Sequence, residues 1–198
     1  VLFLPGAWGD GRFWRPVADR LPDAWSKAFL DWPGLGHVPA RPDVAGLSDL
    51  ARLVVAEMRQ SPVDLVAQSM GGVVAMMVAL AHPGRIRRLV LTATSAGIDD
   101  TPFAPEDWRP EYAMEYPRAA SWIRGERPDL SARLPSVAAP TLLVWSDADP
   151  ISPVGVGRRL VELLPRAELI VVRAEGHMFA RDRAELVAPN VLRHLETE

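Results

Sequence analysis

The chain has 198 residues, 48% hydrophobic and 24% charged, which is enough apolar material for one packed core and too much for a disordered or collagen-like chain. It has no cysteine and a formal charge of -3 from 22 basic and 25 acidic residues, so thiolate chemistry, disulfides and cysteine-bound metals are excluded and no nucleic-acid partner is expected. No apolar run approaches the roughly 18 residues of a membrane span, and no basic, then apolar, leader opens the sequence; a cytoplasmic protein without a membrane partner is expected.

Short runs rich in Val, Leu and Ile alternate with segments whose apolar residues recur at helical spacing. A strand is expected at 1–4, a helix at 13–21, a strand at 28–30, a helix at 47–59, a strand at 63–67, a helix at 70–81 and a strand at 89–93. The alternation resumes with a strand at 141–145, a helix at 156–164, a strand at 169–172 and a closing helix at 184–195. Six strands in a βαβα rhythm predict a doubly wound, mainly parallel sheet, with ligands outside the carboxyl ends of its strands. Residues 97–138 break the rhythm with Pro102, Pro105, Pro110, Pro117, Pro128 and Pro135 and no strand-like run. They predict short helices begun by proline and a cap insertion within one domain spanning 1–198.

Lys27 is the single lysine and sits in an ordinary position before a strand, so Schiff-base chemistry is not expected. Val66-Ala67-Gln68-Ser69-Met70-Gly71-Gly72 lies directly between a strand and a helix, the context of a serine nucleophile elbow. The same segment also fits a plain helix cap, because serine often supplies one. A serine nucleophile needs a base oriented by a carboxylate. Among the four histidines, His82 and His194 read as surface residues and His37 as part of a turn, whereas His177 follows Glu175-Gly176 at the carboxyl edge of the last strand. Asp147 and Asp149 both follow the fifth strand; the first fits an Asx-turn or helix cap, the second is better placed to reach over the sheet edge.

Ser69, an aspartate of the 147–149 loop and His177 occur in the chain order of the α/β-hydrolase fold, which this sequence resembles over nearly its whole length. Leu4-Pro5-Gly6-Ala7-Trp8 resembles that family's oxyanion segment, Asp31-Trp32-Pro33-Gly34-Leu35-Gly36-His37 its Asp-x-Pro-Gly loop, 146–153 its acid loop, and Glu175-Gly176-His177 its Gly-Gly-His loop. The resemblance selects Asp149 as the acid and implies an oxyanion hole from the N–H groups of Ala7 and Met70. Ala67 stands where the family has the first elbow glycine. Pro5 stands where it has a histidine that often steadies the oxyanion loop. The sequence opens inside the family's first core strand, so its two leading strands are not expected here, and a truncated or a naturally minimal sheet fits equally.

These parts imply carboxylic ester hydrolysis through an acyl-enzyme, without cofactor or metal. Trp8, Met178 and Phe179 flank the expected site, and the cap supplies Trp108, Tyr112 and Trp122, so all six are candidates to bind an apolar acyl or alcohol group; packing of the cap on the core explains the same aromatics. The resemblance extends to small carboxylesterases, among them methylesterases and the pimeloyl carrier-protein methyl ester esterases of biotin synthesis. Along the cap, Asp99, Asp100, Glu106, Asp107, Glu111 and Glu115 precede Arg118, Arg124, Arg127 and Arg133, with Glu126 and Asp129 against them. A basic rim could dock an acidic carrier protein, and a solvated, salt-bridged surface explains the same pattern. C–C bond hydrolysis or a lyase reaction on the same triad is an alternative, and so is a non-catalytic interaction module.

Overall fold

In the computed structural model, residues 1–58, 62–125 and 127–197 are described; the expected end of the second helix at 59, and Glu126, lie outside them. Six strands form one sheet: β1 (Leu2–Leu4), β2 (Ala28–Phe29), β3 (Val63–Gln68), β4 (Ile86–Thr92), β5 (Thr141–Ala148) and β6 (Ala167–Glu175). Every neighbouring pair is parallel and the order is β2-β1-β3-β4-β5-β6. The helices are α1 (Arg15–Ala18), α2 (Leu47–Glu57), α3 (Met70–Ala81), α4 (Arg109–Glu115), α5 (Val154–Leu163), α6 (Phe179–Asp182) and α7 (Ala184–Glu196). This is the doubly wound sheet that the apolar alternation predicts.

The period-two alternation of side chains divides the core. Leu4, Leu65, Ala67, Leu89, Leu91, Leu143 and Trp145 pack on one face with Leu50 and Val54 of α2, Val74 of α3 and Val156 and Leu160 of α5. Phe3, Val66, Val90, Leu142 and Val144 point to the other face and meet Val17 of α1, Phe179 and Ala180 of α6 and Val187 and Val191 of α7. Because both faces are covered, the central strands are apolar on both sides, which is why they read as continuous runs.

Several boundaries move. The helix expected at 13–21 is a 3-10 turn (Gly11–Trp14) followed by the short α1, whose first turn holds Pro16. β4 begins at Ile86, earlier than the apolar run that starts at Leu89, and includes the charged Arg87 and Arg88. Both are paired: Arg87 with the buried Asp64 of β3, and Arg88 with the Thr197 carbonyl. β5 and β6 also run further toward their carboxyl ends than expected. His194 is half-buried rather than on the surface, and burial, reinforced by Arg88, lowers its pKa.

Among the described residues of 97–138 are α4 and three 3-10 turns, Thr101–Phe103, Ser121–Arg124 and Ser131–Ser136. They lie against the strand ends. Ala120 N–H donates to the Gly34 carbonyl at 2.7 Å, Leu130 N–H to Gly97 at 2.7 Å, and Glu106 N–H to Pro150 at 2.8 Å.

The close approach of α3 to β1 depends on Gly71. A Cβ there would stand 2.3 Å from the Pro5 carbonyl oxygen and 2.8 Å from that of Leu4, both backbone atoms that cannot swing aside. At Gly46, before α2, a Cβ would meet nothing within 4 Å, and the backbone is extended and open to any residue. Gly71→Ala should therefore cost about 3 kcal/mol by overpacking and lower Tm by roughly 6–12 °C in thermal unfolding, whereas Gly46→Ala should stay within about 0.5 kcal/mol of the parent.

Candidate active site

β3 delivers Ser69 to the first position before α3 with φ 52° and ψ -123°, a backbone conformation that costs a non-glycine residue about 1–3 kcal/mol. The turn is held by Ser69 N–H to the Thr92 carbonyl at the end of β4, and by Gly72 N–H to the Ser69 carbonyl, each 2.9 Å. The Ser69 side chain makes no capping hydrogen bond to α3. Its Oγ instead stands 2.9 Å from His177 Nε2, which separates this serine from an ordinary helix cap.

The other side of the imidazole faces Asp149, with His177 Nδ1 2.8 Å from Oδ2 and both side chains almost wholly out of solvent. Asp149 Oδ1 accepts the N–H groups of Ile151 and Ser152 at 2.9 and 3.0 Å, so the carboxylate is fixed at one oxygen and offers the other to the ring. With Nδ1 as the donor to Asp149, Nε2 is left as an acceptor for the Ser69 hydroxyl.

The sheet itself decides between the two aspartates. The pairing of β5 with β6 shifts register between Ser146 and Ala148, and side chains fill the break. Ser146 Oγ donates to the Ala174 carbonyl at 2.7 Å, and Asp147 Oδ1 accepts the Ala174 N–H at 3.0 Å. Asp147 is therefore an exposed strand residue completing a bulge, not a turn or cap, while Asp149 lies beyond the last rung. Gly176 N–H donates to the Ala148 carbonyl at 3.1 Å with φ +73°, tying the histidine loop to the acid loop. Trp145 Nε1 donates to the Ser152 carbonyl at 2.9 Å and anchors the far side of the acid loop.

On the opposite side of Ser69 lies the loop after β1. A Cβ on Gly6 would sit 3.1 Å from Ser69 Cβ, so this loop runs directly beside the serine. Met70 begins α3, so its N–H has no partner within the helix, and among the described residues no acceptor takes the N–H of Ala7 or Met70. The carbonyls of the loop are held from behind. Trp14 Nε1 donates to Leu4 at 2.9 Å, Trp32 Nε1 to Pro5 at 2.7 Å and Tyr112 Oη to Ala7 at 2.8 Å. Buried donors thus hold the loop without a histidine at position 5, a support that no short motif reveals because its members are far apart in sequence.

Ser69 and His177 open onto a cleft of about 590 Å³ whose wall is half polar: Ile98, Trp108 and Ile151 supply apolar surface, and Asp99, Asp100, Glu106, Asp107, Asp129, Arg109 and Arg127 supply charge. A second cavity of about 490 Å³ lies beyond Met70, against Met77 and Trp122, with Arg127 and Pro128 forming the wall between the two. The aromatic residues divide accordingly. Trp108 lines the cleft and Trp122 the second cavity, whereas Trp8 packs edge-on against Tyr112. Tyr112 is 1% exposed and braces loops rather than walling the cleft; burial raises its pKa and keeps the phenol a donor. Phe179 is fully buried in the core on the other face of the sheet, and Met178 packs against that core, since the chain turns into α6 at once after His177. Arg118, Arg124 and Arg133 are exposed, but Arg127 is drawn inward over the Trp108 ring, 5.5 Å from its centroid. Gln68 is a further member of the site that its sequence position conceals: it is 1% exposed, and its Nε2 donates to the His177 carbonyl at 3.4 Å.

Residues 1–190 match the sequence profile of the alpha/beta hydrolase family, and the chain belongs to that family. Among curated proteins it is similar to a pimeloyl-[acyl-carrier protein] methyl ester esterase of Neisseria meningitidis serogroup B, 27% identical over 234 aligned positions covering 94% of this chain and 89% of that protein. It is also similar to a poly(3-hydroxyalkanoate) depolymerase of Ectopseudomonas oleovorans, 28% identical over 92% of this chain and 79% of that one. A thermophilic esterase from Thermogutta terrifontis shares the fold with a TM-score of 0.77 at 22% identity, over 98% of this chain and 88% of the other.

The two aspartates give a direct comparison. Asp149→Asn would present an amide to His177 Nδ1 and favour the wrong tautomer, so kcat for an ester substrate should fall by about 10⁴-fold. Asp147→Asn keeps an acceptor for the Ala174 N–H and should leave kcat within about threefold of the parent, since surface changes of this kind are nearly neutral. Steady-state kinetics of the two variants check the ranking.

Proposed function

We propose that this protein hydrolyses carboxylic esters through an acyl-enzyme formed on Ser69. The observation that carries the reading is the single imidazole of His177 standing 2.9 Å from a serine in strained backbone and 2.8 Å from a buried carboxylate. In this mechanism Ser69 Oγ attacks the ester carbonyl as its proton passes to His177 Nε2. The N–H groups of Ala7 and Met70 receive the resulting oxyanion. His177 then gives the proton to the departing alkoxide, leaving alcohol and a Ser69 ester. Water, deprotonated by the same nitrogen, resolves that ester to the acid and restores the serine. Asp149 holds the ring in the required tautomer and stabilises the imidazolium.

The cleft supports a substrate with an apolar acyl or alcohol portion lying against Ile98, Trp108 and Ile151, with residues 97–138 acting as its cap. A carrier-linked ester is a second reading, supported by the similarity to the meningococcal esterase, whose name specifies an acyl-carrier-protein substrate, and by the exposed Arg118 and Arg124 on the cap. Surface arginines act on the encounter with an acidic protein and give a small free ester nothing to read.

Ser69→Ala should abolish hydrolysis of p-nitrophenyl esters to within about 10³–10⁴-fold of the uncatalysed rate while leaving Tm near the parent value. Esterase activity near the parent level in that variant would refute the reading. Replacing Arg118 and Arg124 together by Ala should leave free-ester kcat/KM within about twofold, and should lower kcat/KM for a carrier-bound ester in a salt-dependent way if that is the substrate. An equal response of both substrate types removes the carrier-linked reading.

A further inference from the structure

The amide that the proposed mechanism needs at Ala7 belongs to a peptide whose orientation is set from two directions. Gly9 N–H donates to the Gly6 carbonyl at 3.1 Å, and because the peptide is trans, the Ala7 N–H on its other edge must point the opposite way. The next carbonyl, that of Ala7, accepts the Tyr112 phenol at 2.8 Å. The same phenol oxygen accepts the Gly36 N–H at 2.9 Å. Gly36 in turn is pressed against the oxyanion loop: a Cβ on it would stand 2.0 Å from the Trp8 carbonyl. One hydroxyl therefore joins the loop after β1, the loop after β2 and helix α4 of the cap.

The ring carrying that hydroxyl has little freedom. It is 1% exposed and meets Trp8 edge-on at 6.0 Å, Trp108 edge-on at 5.4 Å and Tyr116 at 5.0 Å. Trp108 is also a wall of the cleft, so the contact that places the phenol is continuous with the surface that faces substrate. Resting on the Ser69 ester-hydrolase reading, we propose that Tyr112 is a positioning residue of the oxyanion hole, through which the cap sets the direction of the Ala7 N–H. Its hydroxyl touches no reacting atom. It acts through the Ala7 carbonyl, and its loss leaves Ala7 free to rotate and two buried backbone groups unpaired.

A donor aimed at developing charge matters more in the transition state than in the ground state, so the signature is a kcat effect. For p-nitrophenyl butyrate, Tyr112→Phe should lower kcat about tenfold with KM changed less than twofold, and should weaken a boronic acid, which forms a tetrahedral adduct on Ser69, by a matching factor. Val54→Ala, a core truncation in α2 remote from the site, serves as the stability control and should lower Tm without moving kcat. Because the chain has only two tyrosines, 3-fluorotyrosine incorporated in a Tyr116→Phe background reports on Tyr112 alone with both hydrogen bonds kept. Its fluorine resonance should shift when the boronic acid binds, and should not shift in a Ser69→Ala version. The proposal is overturned if Tyr112→Phe keeps kcat within twofold, if it raises KM at constant kcat, or if the fluorine resonance ignores the adduct. Failure of the ester-hydrolase reading is told apart because it appears with Tyr112 intact, as turnover that survives Ser69→Ala.

Discussion

The backbone of Ser69 is the constraint on which the site depends. Its positive φ turns the chain from β3 into α3 within one residue, lifts Oγ clear of the strand and leaves the Met70 N–H free at the start of the helix. Nothing in the residue itself favours that conformation. The energy comes from what surrounds it: a hydrogen bond to the end of β4 at Thr92, and a long apolar α3 whose Val74 and Val78 are buried in the core it shares with the strands. Burial of a few such side chains, each worth about 1.5–3 kcal/mol, exceeds the strain of one dihedral pair. The tight fit extends outward through Gly71 against Pro5 and Gly72 against Thr94, so the elbow is clamped between the first and fourth strands.

The remaining groups are carried by strand ends, which a parallel sheet gathers along one edge. Two of these ends use different devices. At the end of β5 a register shift consumes the Ser146 and Asp147 side chains as ladder partners and releases Asp149 to cap its own loop and face the histidine. At the end of β1 the chain is fixed by donors reaching its carbonyls, two indoles and a phenol, each from a different element. That second device leaves the loop braced with proline at position 5, and on our proposal it hands part of the control of the loop to residues 97–138.

The parts that sequence reveals and conceals differ for a physical reason. Strands β1, β3, β4 and β5 are covered on both faces, so their composition announces them, and the helices between them carry an apolar stripe for the same reason. The small residues around Ser69 and the glycine before His177 are local requirements of tight turns and are visible as motifs. Arg87 and Arg88 hide the start of β4 because their partners, Asp64 and the Thr197 carbonyl, are distant along the chain. By its nearness to His177, Phe179 reads as a site residue, yet the turn into α6 sends it through to the opposite core. Tyr112 and Gln68 show the same limit. A residue whose job is to hold another segment in place is defined by that segment, and its own neighbours in sequence carry no trace of it.

Everything proposed for the site depends on the identity of the reactive group. Treating the native protein with one equivalent of a fluorophosphonate, digesting it and mapping the adduct by mass spectrometry tests that identity without any substitution. A single adduct on Ser69, formed at a rate that collapses in His177→Ala, is the result expected from a serine activated by that imidazole. An adduct on another residue, or ester hydrolysis that continues unchanged after Ser69 is fully modified, would contradict it.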